Sequence, residues 1–252
     1  MEIVLDERKK AEDVLSSADS PANPIQNVFL LAKYYYSLGQ TRAEVLAHVE
    51  EYLQRFPYVV LPKWQTTVER MVTKAKKHKL VEIQGIPITK TELEAVAQLQ
   101  KESLQKLAFT LLCITKFYNA INPNNQNWCN TSDKDLFRMA NIGSLDSRRQ
   151  QKLISELHEL GMVGYSNVID NINLRVMFID QYEEVGMVIT NYEDLGLQYL
   201  EYIGDKTVVR CKDCGKLVKK RSKRLDYCPE CSQEHRKESL RKAAQKCRNR
   251  DM

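Results

Sequence analysis

The sequence predicts a mainly α chain of the α+β class, and three observations lead there. Nine glycines and seven prolines in 252 residues leave room for few long loops, while 43% hydrophobic residues suffice for real cores. Helical periodicity dominates, but two short β-rich runs follow a helix–turn–helix pattern between about 132 and 179. Two Cys-x-x-Cys pairs stand near the C-terminal end, at Cys211/Cys214 and Cys228/Cys231. Together these predict a helical N-terminal domain, a central winged helix-turn-helix and a small C-terminal zinc ribbon or treble clef. The expected boundaries are an N-terminal helix and linker over 1–25, a helical domain over 26–104, the winged helix over 105–190, a connector over 191–204 and a basic metal module over 205–252.

The first residues carry a short helical pattern that runs into a Ser/Pro/Asn-rich linker from Ser16 to Pro24. A helix over about 27–38 stops at Gly39, and Thr41 with Glu44 forms a capping box for the next. Val45, Leu46, Val49 and Leu53 mark its buried face. A third helix covers about 63–79, and Leu80 to Thr89 reads as a short two-stranded turn. Three helices and a hairpin fit a second winged helix as well as a plain bundle, and Lys74, Lys76, Lys77 and Lys79 do not decide between them. A second capping box, Thr91 with Glu94, opens a long helical tract reaching Asn119, whose half from Leu107 to Tyr118 is apolar on most faces. The polar stretch Asn119 to Asn130 reads as a disordered or exposed loop with Trp128 its only anchor.

Ser132 to Ala140 is a short capped helix and Asn141 to Asp146 a turn. The helix from Ser147 to Leu160 carries a stripe of Leu153, Ile154, Leu157 and Leu160 and ends at Gly161. Met162 to Tyr165 and Leu174 to Ile179 read as strands, with a wing from Asn167 to Arg175 between them. In a winged helix the second helix of the helix–turn–helix presents its N-terminal residues to base edges. Here those are Arg148, Arg149, Gln151 and Lys152, where Arg can pair with guanine and Gln with adenine. The wing offers one cation, Arg175. Gly186 to Thr190 adds a strand, and Tyr192 to Ile203 leads on as a short helix or loop.

The cysteine spacing carries the sharpest chemistry. Four thiolates from two tight turns close a tetrahedral shell around one structural zinc and leave no open position for catalysis. Gly215 directly follows the first pair, where a left-handed residue is often needed, and Pro229 suits the first turn of a helix. His235 offers an alternative ligand, and Cys113, Cys129 and Cys247 are expected as free thiols. Residues 205–252 hold sixteen Lys/Arg against seven Asp/Glu, while the other 204 hold twenty-two against twenty-six. Concentrated positive charge is the footprint of a polyanion partner. The stretch between the two cysteine pairs is expected to fold back as a hairpin, and Lys216, Lys219, Lys220, Arg221, Lys223 and Arg224 lie on it. Arg236, Lys237, Arg241 and Lys242 lie on the closing helix, whose weak apolar stripe of Leu240, Ala243, Ala244 and Cys247 must pack on something, the hairpin being one candidate.

The expected partner is double-stranded DNA, with the module gripping phosphates and the central helix sampling bases. A protein partner and RNA are the alternatives. Enzyme signatures are absent: His48, His78, His158 and His235 are scattered without a nucleophile or carboxylate at a telling spacing. No run approaches the ~20 apolar residues of a membrane span, and the N-terminal residues do not read as a signal peptide. A cytoplasmic location is therefore expected.

The stretch Asn191 to Tyr199, continued through the cysteine pairs, resembles the ends of small phage-encoded proteins from Gram-positive hosts. The part before it is similar to winged-helix domains of phage and plasmid replication initiators and repressors. The resemblance covers about 105–252. It implies a DNA-binding regulator or replication accessory factor of a mobile element. Such proteins also include inhibitors of host defence enzymes, which reuse DNA-binding folds to bind proteins.

Overall fold

Several helix ends in the computed structural model fall where side-chain caps and left-handed residues stop them. The structure describes residues 3–18, 20–143, 145–167, 173–180, 184–220 and 226–248, with the backbone alone for 243–248. It is mixed helix and sheet, and the sheets are small and antiparallel. The chain divides into two units, 2–86 and 87–252.

In the first unit, α1 (Glu7–Ser16), α2 (Val28–Ser37), α3 (Arg42–Gln54) and α4 (Leu61–Ala75) enclose a core that includes Leu31, Val45, Val49, Tyr52, Leu53, Val68 and Val72. Gly39 follows α2 at φ +83°, a value glycine adopts without strain. The Thr41/Glu44 capping box forms as expected, with Thr41 N–H donating to the Glu44 carboxylate at 2.7 Å. The two-stranded turn expected over Leu80 to Thr89 does not form. Glu82 instead bridges Asp6, and Ile83 N–H donates to Leu5 at 2.8 Å. Residues 86–89 become β1 (Ile86–Thr89), which pairs with β5 (Val185–Ile189). Pro87 offers no N–H to a hairpin partner, and the two halves of the segment find different partners, Asp6 and β5. The first unit is thus a helical bundle without the hairpin of a second winged helix.

The second unit is built around α6 (Glu102–Ile121), which buries Leu107, Phe109, Leu111, Leu112, Ile114 and Phe117. The long tract expected to start it is broken, because α5 (Lys90–Ala97) ends where the Gln105 amide donates to the Ala97 and Leu99 carbonyls at 3.3 and 2.7 Å. The capping box of α5 is Thr89/Glu92, two residues before the expected pair. Both pairs satisfy the Thr-x-x-Glu spacing, and burial selects the first. Glu92 is fully buried and accepts from Thr89 N–H at 2.8 Å, Asp180 N–H at 2.9 Å and Lys116 Nζ at 2.7 and 2.9 Å.

The stretch 119–130 is largely exposed, as expected, but it is built on a network around the buried Asn125. Asn125 Nδ2 donates to Asn119 Oδ1 at 2.9 Å and to the Trp128 carbonyl at 2.7 Å, and Asn119 Nδ2 donates to Asn127 Oδ1 at 2.8 Å. The loop ends in β2 (Trp128–Cys129), which joins β4 (Leu174–Val176) and β3 (Val163–Tyr165) in the order β2-β4-β3. Between them run α7 (Asp133–Met139) and α8 (Ser147–Glu159), each capped by an acceptor side chain, Ser132 and Asp146. Ile154 and Leu157 of α8 are buried as expected, but Leu160 lies past the last turn and is exposed.

The segment 191–204 is core where a connector was expected. Its helix α9 (Leu195–Tyr202) packs on α6, with Leu195, Leu197, Tyr199 and Leu200 buried and the Tyr192 hydroxyl donating to the Cys113 carbonyl at 2.8 Å. Gly196 allows this approach, since a Cβ there would sit 1.9 Å from the Ala140 carbonyl oxygen. Replacing Gly196 by Ala should therefore destabilise the second unit by about 2 kcal/mol or more. Glu92→Ala, which strands one buried and two half-buried donor groups, should cost about 3 kcal/mol. Urea unfolding followed by far-ultraviolet circular dichroism checks both.

Candidate metal centre and basic surfaces

The strands β6 (Val208–Arg210) and β7 (Leu217–Lys219) pair antiparallel, with Arg210 opposite Leu217. Their connecting turn is the first cysteine pair. Cys211 N–H donates to the Lys216 carbonyl at 2.9 Å and Gly215 N–H to the Cys211 carbonyl at 3.0 Å, with Gly215 at φ +72° as its position predicts. The hairpin thus brackets the first pair, where the sequence suggested a hairpin between the two pairs. The second pair straddles the start of α10 (Pro229–Arg248), and Lys212 N–H reaches the Asp226 carbonyl at 3.0 Å to tie the two turns together.

Cys211, Cys214, Cys228 and Cys231 place their sulfurs within 4.8 Å of one another, so they could hold one metal ion. Cys214 Sγ and Cys228 Sγ are 3.7 Å apart, close to the about 3.8 Å edge of a tetrahedron with metal–sulfur bonds of about 2.3 Å. Backbone N–H groups of Cys214 and Cys228 hold the Cys211 thiol down at about 6. Cys231 and Cys214 are raised, Cys231 chiefly by its hydrogen bond with Cys228. One thiolate comes readily, and its neighbours resist a second negative charge that a cation would neutralise. His235 stands outside the cluster, since its ring bonds the Asp213 carboxylate and packs on Tyr227 at 4.5 Å.

The module is fastened to α6 by charge. Lys219 donates to Glu102 at 2.6 Å, and Glu102 also meets the buried Lys106, which donates to the Asn141 carbonyl at 2.8 Å. The Lys219 hydrogen bond holds the Glu102 carboxyl below its ordinary range, and burial lowers the Lys106 ammonium. Beside this chain lies a cavity of about 560 Å³ whose lining includes Asn141, Asp194, Lys216, Lys219 and Glu230. Asn141 and Asp194 both adopt left-handed backbone, at φ +50° and +46°, and are hydrogen-bonded at 3.0 Å. Sequence reasoning missed this junction. The only available signal was that Asn and Asp tolerate such turns better than other residues.

Many of the side chains expected on the nucleic-acid surface have protein partners. Gln151 donates to Asp133 at 3.0 Å, Arg149 lies 3.6 Å from Asp146, and Arg175 donates to the Gln126 carbonyl at 3.1 Å. Lys219 is held by Glu102, Lys216 lies 3.6 Å from Glu230, and Lys242 is 2.7 Å from Glu238. Arg148, Lys152, Arg236, Lys237 and Arg241 are exposed, and no carboxylate pairs with them among the described residues. Lys220 is half-buried at the end of β7, while Arg221, Lys223 and Arg224 lie outside the described residues, as does most of the expected wing. Helix α10 does not fold back on the hairpin through Leu240, which is 62% exposed. Every residue from Ser232 to Lys242 is exposed.

Among the described residues no helix is long and apolar enough to cross a membrane. Comparison with known proteins finds no matching family model, curated protein or solved structure.

Purified protein should carry one metal ion per chain by elemental analysis. Cys228→Ser or a strong chelator should remove it and speed amide exchange across 205–231, because ligand binding there is folding energy. The buried Cys129 thiol, pushed up to about 11 by burial, is ionised at pH 8 to only about one part in a thousand. It should escape iodoacetamide in native protein at that pH and react after denaturation, as read by mass spectrometry.

Proposed function

We propose that the chain is a zinc-containing protein that binds double-stranded DNA, in the manner of a regulator or replication accessory factor of a phage or other mobile element. The observation that carries this reading is α10. It is rooted at the metal centre by its first turn, leaves Ser232 to Lys242 exposed, and presents Arg236, Lys237 and Arg241 without carboxylate partners among the described residues. A cationic helix that buries no described side chain beyond its root suits a polyanion better than its own core.

Four thiolates suit zinc in a closed structural site. The ligands Cys211, Cys214, Cys228 and Cys231 would hold the hairpin against the start of α10, in the manner of a treble clef or zinc ribbon. The run α7, turn, α8, β3, β4 has the element order of a winged helix-turn-helix. Arg148 and Lys152, exposed at the start of α8, are its candidates for the major groove. The commitments of Arg149 and Gln151 to Asp146 and Asp133 weigh against direct base readout by those two. Binding is therefore expected to rest on phosphates more than on sequence, with no catalytic step.

One observation favours a protein partner as a second reading. Leu240 is exposed among the charges of α10, and an apolar side chain gains nothing from phosphate.

Fluorescence anisotropy with random duplex DNA decides between them. The full chain should bind with a steep salt dependence, and Arg236→Gln/Lys237→Gln/Arg241→Gln should flatten the log–log slope by about 0.9 for each phosphate no longer neutralised. Absence of binding by the full chain at low salt would overturn the DNA reading and leave the protein partner.

A further inference from the structure

We propose that the N-terminal helical unit carries a second binding surface for the DNA phosphate backbone, a groove between α3 and α4 distinct from the metal module. This inference rests on the DNA reading and adds a site to it. Lys63, Arg70, Lys74 and Lys77 are spaced seven, four and three residues apart, which sets them on one face of α4 and its C-terminal turn. The opposite face buries Val68, Val72 and Ala75 in the bundle core. The face is therefore held in place by packing that its charges do not supply.

Arg42 from α3 completes the far wall. Its guanidinium donates to Thr73 Oγ1 at 3.3 Å. Arg42, Thr66, Glu69, Arg70, Thr73, Lys74 and Lys77 together line a groove of about 500 Å³. Its cations differ from those of the hairpin. Lys216 and Lys219 are met by carboxylates, whereas Arg70, Lys74 and Lys77 have none within ion-pair distance among the described residues. Lys74 Nζ lies 6.0 Å from the centroid of the Phe29 ring. Glu69, the one carboxylate of the groove, accepts from Gln65 at 3.4 Å.

The charge is local. Residues 61–79 hold six Lys/Arg against one acid, while the rest of 2–86 holds six against ten. A solvated face carries interspersed signs, and like charges left unpaired three and four residues apart on a helix repel one another. An anion relieves that repulsion. A row of guanidinium and ammonium groups with threonine hydroxyls beside them is the chemistry that meets successive phosphates, with no base recognition required.

The test uses the full chain, random duplex DNA and two variants of equal charge change, Arg70→Gln/Lys74→Gln/Lys77→Gln and Arg236→Gln/Lys237→Gln/Arg241→Gln. Circular dichroism verifies that each is folded. If the groove takes three phosphates, the first variant should lose about 40-fold less affinity than wild type between 50 and 200 mM salt. In wild-type protein, duplex DNA should shield Lys74 and Lys77 from acetylation while leaving Lys9 reactive. An unchanged slope together with unshielded Lys74 and Lys77 would overturn the groove, and the α10 variant would then report on the metal module alone. Weakened binding by the groove variant, with none by the α10 variant, would support the groove and refute the module's role. No DNA binding by wild type would overturn both.

Discussion

A carboxylate removed from water must be given hydrogen bonds and a counter-charge, and the placing of Glu92 orders much of the second unit around that demand. Its two oxygens gather the N–H of Thr89 at the end of β1, the N–H of Asp180 after β4 and the ammonium of Lys116 on α6. Three chain segments far apart in sequence thus share one anion. That shared anion fixes where α5 begins, and Lys90 N–H then donates to the Glu184 carbonyl just before β5. The apolar packing of α6 and α9 supplies most of the cohesion, but it is non-directional. The Glu92 cluster supplies the register.

The same logic separates two kinds of surface cation. On the hairpin, Lys216 and Lys219 meet carboxylates, and Lys219 ties its strand to α6 through Glu102. On α10 and α4 several have no such partners among the described residues. Counting basic residues weights these alike, but an anionic ligand must displace a carboxylate in the first case and only water in the second. Binding by this chain is therefore better judged from the unpaired set than from net charge.

Much of the element order was legible in the sequence because its signals are local. The Thr41 box, the glycine stops at Gly39 and Gly161, the Ser132 to Gly161 helix–turn–helix and the four-sulfur cluster all depend on residues close to one another along the chain. What escaped depends on distant partners. Thr89/Glu92 and Thr91/Glu94 look equally good until Lys116 chooses between them. The 119–130 loop reads as solvent-loving until its asparagines are seen to satisfy one another. Leu195 to Tyr202 looks like a short connector until Gly196 lets it press against Ala140. Exposure of Leu240, and the pairing that quiets Gln151 and Lys219, likewise required knowing what lies across the gap.

Helix α10 is 20 residues long, and a helix of that length reaches about 30 Å from its root. Exposed helices with little tertiary support sit near the margin of stability, because starting the first turn is the unfavourable step. Here that first turn is already made by the Cys228–Cys231 knuckle. The cysteine cluster thus serves as a nucleation seed for an arm, and whatever disturbs the seed changes the molecule's reach as well as its local fold. If the partner is duplex DNA as proposed, about nine base pairs would fit within that span, and redox or metal chemistry at four sulfurs would be transmitted as a change in how far along that partner the chain can extend.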